Sequence, residues 1–392
     1  MKLLHVIAGT DPESGGPIES ILRISEILIQ DGYQVEVVSL EEEHEIATRK
    51  FPFPITGVGQ GTRRYHFNPR LTSWLKENVG RFDSVVLHGL WNFSSFGSWR
   101  ALAKSSTPYF IFPHGMMDPW FREAYPLKHI AKQIFWTLAE GRVLRDAQAV
   151  LFTCEEERAR ARDVFVGPPY KERVVMYGTA YPHGDAPREI AAFRSQFPAL
   201  TDRRFLLFLS RIHPKKGCEI LIRAFAQLLP ELPVDLDLVM AGPDQVGWMP
   251  ELQALAVHTG VAHRVHWPGM LKDDLKWGAF RSAEALILPS HQENFGFVVA
   301  EAMACGTPVL VSNKVNIWHE VDAYHAGLVE PDTVAGARSL IRRFLALSPE
   351  EREQMSRNGR AGFFKYFDIE VTARDFARAI GFQSRPAVPA GT

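Results

Sequence analysis

Short apolar runs alternate with helical patterns along the whole chain. Leu3–Ile7 reads as a buried strand, and a Gly/Ser/Pro loop follows over Gly9–Pro17. Within Ile18–Gln30 the apolar residues fall at 18, 21, 22, 24, 27, 28 and 29, the spacing of a helix lying on a sheet. Pro17 suits the first helical position and Gly32 the stop. Further strands are predicted at Gln34–Leu40, Ser84–Leu87, Tyr109–Phe112, Ala147–Thr153 and Arg173–Tyr177. The Pro/Gly-rich stretch Thr179–Pro187 then reads as a linker. Beyond it the alternation restarts, with strands at Phe205–Leu209, Leu236–Ala241, Arg264–Trp267, Ala285–Leu288 and Thr307–Val311. Helices are predicted between them at Cys218–Leu229, Glu251–His258, Leu271–Arg281 and Phe297–Cys305. Strand–helix alternation predicts parallel sheets covered on both faces, hence an α/β chain of two doubly wound domains in tandem.

Composition narrows the class. The 392 residues carry 44 Lys+Arg against 45 Asp+Glu, with 46% hydrophobic residues. That balance excludes a disordered chain and gives no basic excess for broad nucleic-acid binding. The three cysteines, Cys154, Cys218 and Cys305, are far apart in sequence, which argues for a reducing compartment and against a zinc ribbon or disulfide framework. The N-terminal apolar run is too short for a signal peptide, and no stretch is apolar enough to span a membrane. A cytoplasmic protein is expected, with superficial membrane contact left open.

In doubly wound sheets ligands bind beyond the carboxyl ends of the strands, so the chemistry belongs in the post-strand loops. The strongest signal runs from Pro289 to Val309, PSHQENFGFVVAEAMACGTPV. A strand ends before it and a helix starts near Gly296. The first-turn amides of a helix lack intrahelical partners and its dipole favours anions, while glycine lets a phosphate approach closely. Glu293 and Glu301 would flank a diphosphate held there and accept from sugar and ribose hydroxyls. An isolated E-x7-E also arises by chance on a helix face. The second signal is SRIHPKKG, Ser210–Gly217, between a strand and a helix. Cations at a helix start oppose its dipole, and a bound anion would resolve the conflict; a solvated basic turn is the plain alternative.

Together these segments, with LVMAGPD (Leu238–Asp244) and VHWPGML (Val265–Leu271) between them, resemble the retaining GT-B glycosyltransferases with an E-x7-E motif, group 1, family 4. The likeness is strong over the C-terminal half. It is looser in the N-terminal half, where it rests on Gly15-Gly16, His114-Gly115 and LFTCEEE (Leu151–Glu157). The resemblance implies two Rossmann-like domains facing across a cleft. It divides the chain into an acceptor-side domain over 1–182, a nucleotide-sugar donor domain over 183–365, a C-terminal helix over 366–383 returning to the first domain, and a flexible tail over 384–392. It also implies residue roles. Arg211 and Lys216 would hold the donor diphosphate, Glu301 the ribose and Glu293 the transferred sugar. Backbone amides near Phe295, Gly296 and Phe297 would cradle the phosphate, and the base would lie by Met270 and Leu271. Gly16 would leave room for the donor. His114 would meet the sugar through its imidazole or an adjacent carbonyl. One departure is that Met176-Tyr177-Gly178-Thr179-Ala180 stands where the group often has an Asn-Gly turn.

His88 follows a strand and opens towards the same region, and Trp91 could stack on an acceptor sugar; a satisfied histidine and a core aromatic are the alternatives. Lys128, Lys132 and Trp136, at i, i+4, i+8, form a stripe suited to an anionic membrane surface, or a solvated face with a packed tryptophan. The expected activity is metal-independent, retaining transfer of a hexose from a UDP- or GDP-sugar to a saccharide or lipid-linked oligosaccharide. Its expected setting is bacterial polysaccharide or lipopolysaccharide assembly, at the inner face of the plasma membrane. Neither a cofactor nor a nucleic-acid partner is expected. The D-L-D of Asp235–Asp237 starts a strand, away from the loops that matter. A non-catalytic nucleotide-sugar-binding GT-B protein is the alternative. A dinucleotide-dependent dehydrogenase is disfavoured, because Gly9, Gly15 and Gly16 do not form G-x-G-x-x-G.

Overall fold

The computed structural model describes residues 1–11, 16–62 and 65–382. The chain forms two compact units, Met1–Gly178 with the segment from Ile369 onward, and Thr179–Asp368. The sequence boundaries at 182 and 365 thus move by four and three residues. The crossings are pinned where Thr179 N donates to Phe367 O at 2.8 Å and Thr179 bridges Asp368.

The first unit holds seven parallel strands, β1 (Lys2–Ile7), β2 (Gln34–Ser39), β3 (Ile55–Gly57), β4 (Ser84–His88), β5 (Tyr109–Phe112), β6 (Ala149–Phe152) and β7 (Glu172–Val174). Their order is β3-β2-β1-β4-β5-β6-β7, so the direction of winding reverses between β1 and β4. The central strands are apolar runs because helices cover both faces: every residue of β4 and β5 is buried. The helix Gly16–Gln30 buries Ile18, Ile21, Ile24 and Leu28. It stops where Gly32 takes φ +82°, with Tyr33 N bonded to Leu28 O and Gly32 N to Ile29 O. Those paired bonds satisfy the last carbonyls of the helix. The C-terminal helix Ile369–Ala379 packs on this helix, and Phe376 stacks on His5 and Phe112. Its hydrophobic face explains why the chain returns to this unit.

The second unit holds β8 (Arg204–Leu209), β9 (Leu236–Ala241), β10 (Val265–Gly269), β11 (Ala285–Leu288), β12 (Val309–Ser312) and β13 (Gly327–Glu330). The order is β10-β9-β8-β11-β12-β13, all parallel, and winding reverses between β8 and β11. Two edge strands escape the sequence reading, β3 and β13, because three or four residues beside Pro54 or at a sheet margin carry little period. The helix expected from Leu271 begins at Asp273 instead, since Leu271 is buried as a loop residue and Lys272 before the helix is extended. Asp237, of the D-L-D, is buried and held by Arg203 and by His266 at 2.8 Å, a structural ion cluster near the start of β9. No described helix is long and apolar enough to cross a membrane. Gly15 and the tail from Ser384 lie outside the described residues.

Candidate functional site

In the second unit the two winding-reversal strands deliver both sequence signals side by side. After β8 the chain makes a short turn, Pro214–Lys216, capped by His213. Gly217 then takes φ +68° and starts the helix Cys218–Leu228. After β11 the loop Pro289–Phe295 ends at Gly296, φ +87°, which starts the helix Phe297–Cys305. The loops are stitched together: His291 N donates to Lys215 O at 2.8 Å, and Lys215 Nζ to Gln292 Oε1 at 3.0 Å. A Cβ on Gly217 would stand 2.1 Å from Pro289 O, so only glycine permits this approach.

The charges sit in that junction. Lys216 is buried and its Nζ pairs with Glu293 Oε2. Glu293 is itself anchored through its backbone, N to Lys314 O at 3.0 Å and O from Asn316 N at 3.0 Å. Glu301 is buried one turn inside its helix and receives Lys276 Nζ at 3.0 Å. Arg211 is exposed and donates to Gln245 Oε1 at 3.1 Å. Phe295 is buried, Phe297 half-buried, Met270 exposed and Leu271 buried. The β8 and β11 loops therefore gather Arg211, Lys216, Glu293, Gly296 and Glu301 at one end of the sheet, while Met270 and Leu271 follow β10. Lys276 was missed by the sequence reading, since nothing in its helix marks it apart from other surface lysines.

In the first unit, Gly16 opens the helix after β1. His88 ends β4, and His114 follows β5 at φ +52°. Both histidines line a cavity of about 550 Å³ with Gly9, Asp11, Glu41 and Arg49. His88 Nδ1 meets His114 Nε2 at 3.0 Å, and His88 Nε2 meets His5 Nδ1 at 2.8 Å. His114 Nδ1 meets Tyr177 Oη at 3.0 Å. Burial lowers His5 and His114 to about 3 and His88 well below its ordinary value, so these imidazoles are neutral near pH 7. Glu157, within the LFTCEEE segment, is a second residue the sequence did not single out: its Oε1 accepts from Gly115 N at 2.6 Å and its Oε2 from Thr153 N at 2.7 Å.

Trp91 does not join that cavity. At φ +68° its ring packs against Phe165 and Trp136, and Lys132 Nζ lies 4.6 Å from its centroid. The expected basic stripe is also rearranged. Trp136 is buried, stacked on Phe165, and Lys132 is spent on Trp91 and Phe121. The same stretch instead exposes Leu127 (81%), Ile130, Ile134 and Leu138, beside Lys128.

Residues 189–362 match the family described as Glycosyl transferases group 1, and residues 15–178 that described as Glycosyl transferase 4-like domain. The chain is 30% identical to a D-inositol 3-phosphate glycosyltransferase of Segniliparus rotundus, over 94% of this chain and 86% of that one. It is 34% identical to an uncharacterized glycosyltransferase of Methanocaldococcus jannaschii over 36% of this chain, a match spanning 37% of that relative's length. In fold it is similar to the Anabaena protein HepE in complex with UDP-glucose (TM-score 0.75, 18% identity, covering 97% of this chain and 99% of that one). It is likewise similar to WaaG, a glycosyltransferase involved in lipopolysaccharide biosynthesis (TM-score 0.70, 18% identity, 97% and 99%).

Proposed function

The chain belongs to the glycosyl transferases group 1, with the GT-B fold, and from that premise we propose that it moves a hexose from a UDP- or GDP-sugar to a saccharide or lipid-linked acceptor with retention of configuration. The observation that carries this reading is the pair of buried Lys216 with half-buried Glu293 beside the helix start at Gly296. A cation, a carboxylate and helix amides in one junction match a sugar diphosphate, whose phosphates need positive charge and whose hydroxyls need acceptors. In this reading Arg211 and Lys216 stabilise the departing diphosphate, Glu301 takes the ribose, and Glu293 takes the sugar while orienting Lys216. Met270 and Leu271 lie by the base. The charge a metal would bring is supplied by these groups, so turnover is expected to persist in excess chelator.

Both ring nitrogens of His114 are already bonded, so its contact with the sugar is assigned to its backbone carbonyl. His88, buried with both ring nitrogens bonded, and Trp91, packed in its aromatic cluster, are both set aside as acceptor contacts. A role in bacterial surface polysaccharide assembly fits the likeness to WaaG, and a lipid-linked acceptor fits the exposed apolar face at Leu127–Leu138.

The test is transfer from UDP- and GDP-hexoses, with the product anomer assigned by NMR. Arg211→Ala, altering an exposed side chain, should stay folded and lose at least about tenfold in rate, each charge-assisted contact contributing roughly 1.5–3 kcal/mol. Wild-type rates in that variant remove the phosphate role, and an inverted anomer removes retention.

A further inference from the structure

His5 is a polar residue in the middle of the buried strand β1, and no hydrophobic pattern accounts for it. Its Nδ1 meets His88 Nε2, His88 Nδ1 meets His114 Nε2, and His114 Nδ1 meets Tyr177 Oη, at 2.8, 3.0 and 3.0 Å. The chain thus runs from the centre of the sheet to the turn after β5. A neutral imidazole carries one N–H and one lone pair, on opposite nitrogens. In a head-to-tail chain of such rings, every contact needs one donor and one acceptor. The three rings must therefore share one tautomer, all Nδ1–H or all Nε2–H. Any mixture places two protons, or two lone pairs, in a contact of 3.0 Å or less.

The third ring of the chain belongs to a residue with a left-handed backbone. His114 takes φ +52°, in the left-handed region that few residues with a Cβ adopt. Glu157 grips the following amide, Gly115 N, at 2.6 Å. We infer that His5, His88 and Tyr177 are positioning residues whose shared hydrogen-bond chain holds the His114 ring, and through it the left-handed turn that aims the His114 carbonyl into the cavity. The ring is then a handle and the backbone is the working group. The kinetic consequence rests on the proposed transfer activity; the tautomer consequence does not.

Two measurements test this. Long-range imidazole ¹⁵N–¹H spectra of the free protein should show His5, His88 and His114 in one common tautomer; a mixture overturns the chain. In transfer assays His88→Leu should lower kcat about tenfold, with the KM for donor within about twofold of wild type. His88→Asn, which keeps a polar group facing His114, should recover more activity than His88→Gln, which keeps one facing His5. His114→Gly, free to adopt positive φ, should outperform His114→Ala. Equal loss in the glycine and alanine variants would make the ring itself the working group and sink the inference. Absence of transfer by the wild-type protein would defeat the proposed function, and the tautomer spectra would still decide the chain.

Discussion

At the scale of single residues, burial sets the titration of Glu140. Glu140 is fully buried, accepting from Ser95 Oγ at 2.7 Å and Trp91 N at 3.1 Å, and burial raises it to about 7. An unfolded chain releases this proton near 4.5, so between those values the folded state holds a proton that the unfolded state lacks. Stability therefore falls as pH rises from about 4.5 to about 7, by up to about 3 kcal/mol. Glu140→Gln keeps the accepting oxygen and removes the charge. Its melting temperature should exceed that of wild type at pH 8 by several degrees, and the gap should close at pH 4.5. A gap of equal size at both pH values would mean that folding leaves the carboxyl's pKa unshifted. The histidines work in the opposite sense. Their folded values lie below the unfolded value of 6.5, so their neutral burial contributes stability above about pH 6.5 that is lost as pH falls towards 3.

At the scale of elements, two features have consequences of their own. The turn Pro214–Gly217 works because Gly217 carries no side chain: Gly217→Ala combines a positive φ with a Cβ 2.1 Å from Pro289 O. The β8 and β11 loops would have to separate, carrying Lys216 from Glu293. Nucleoside diphosphate affinity should drop at least about tenfold while far-UV circular dichroism stays unchanged; unchanged affinity by calorimetry would show that the junction tolerates the shift. The helix Pro126–Phe135 is unusual in burying none of its side chains. Its exposed Leu127, Ile130 and Ile134, continued by Leu138, recur on one side with Lys128 nearby. Such a face suits shallow insertion among anionic headgroups. Vesicle co-sedimentation should rise with anionic lipid, and Leu127→Asp with Ile134→Asp should abolish it. Undiminished binding of that double variant would move the contact elsewhere.

At the scale of the whole molecule, each unit has its own winding reversal and its own loops beyond it. The groups proposed to hold the donor lie in Thr179–Asp368, while the histidine chain lies in the other unit. Nucleoside diphosphate alone should therefore slow hydrogen exchange at Ser210–Gly217 and Pro289–Cys305 and leave Tyr109–Met117 unchanged. Primary protection at the His114 turn, with none at Ser210–Gly217, would reassign the nucleotide to the first unit.

The strand–helix alternation, the order of the loops and the two separate anion-site signals, SRIHPKKG and the Glu293–Glu301 segment, were legible in the sequence. They depend on local period and on residue types at helix starts, which act over a few positions. Strand bounds held to the residue at Tyr109–Phe112, Leu236–Ala241 and Ala285–Leu288, where apolar runs are buried on both faces. What the sequence could not contain was who stands opposite whom. Lys216 facing Glu293 spans 77 positions, and His5 reaching His88 spans 83. Trp91 and Trp136 look alike as aromatic candidates until packing places both in one cluster, leaving Leu127 and Ile134 as the exposed face. Such choices belong to tertiary structure because adjacent parallel strands bring distant loops together, and only there do burial and charge neutralisation decide which polar groups stay paired.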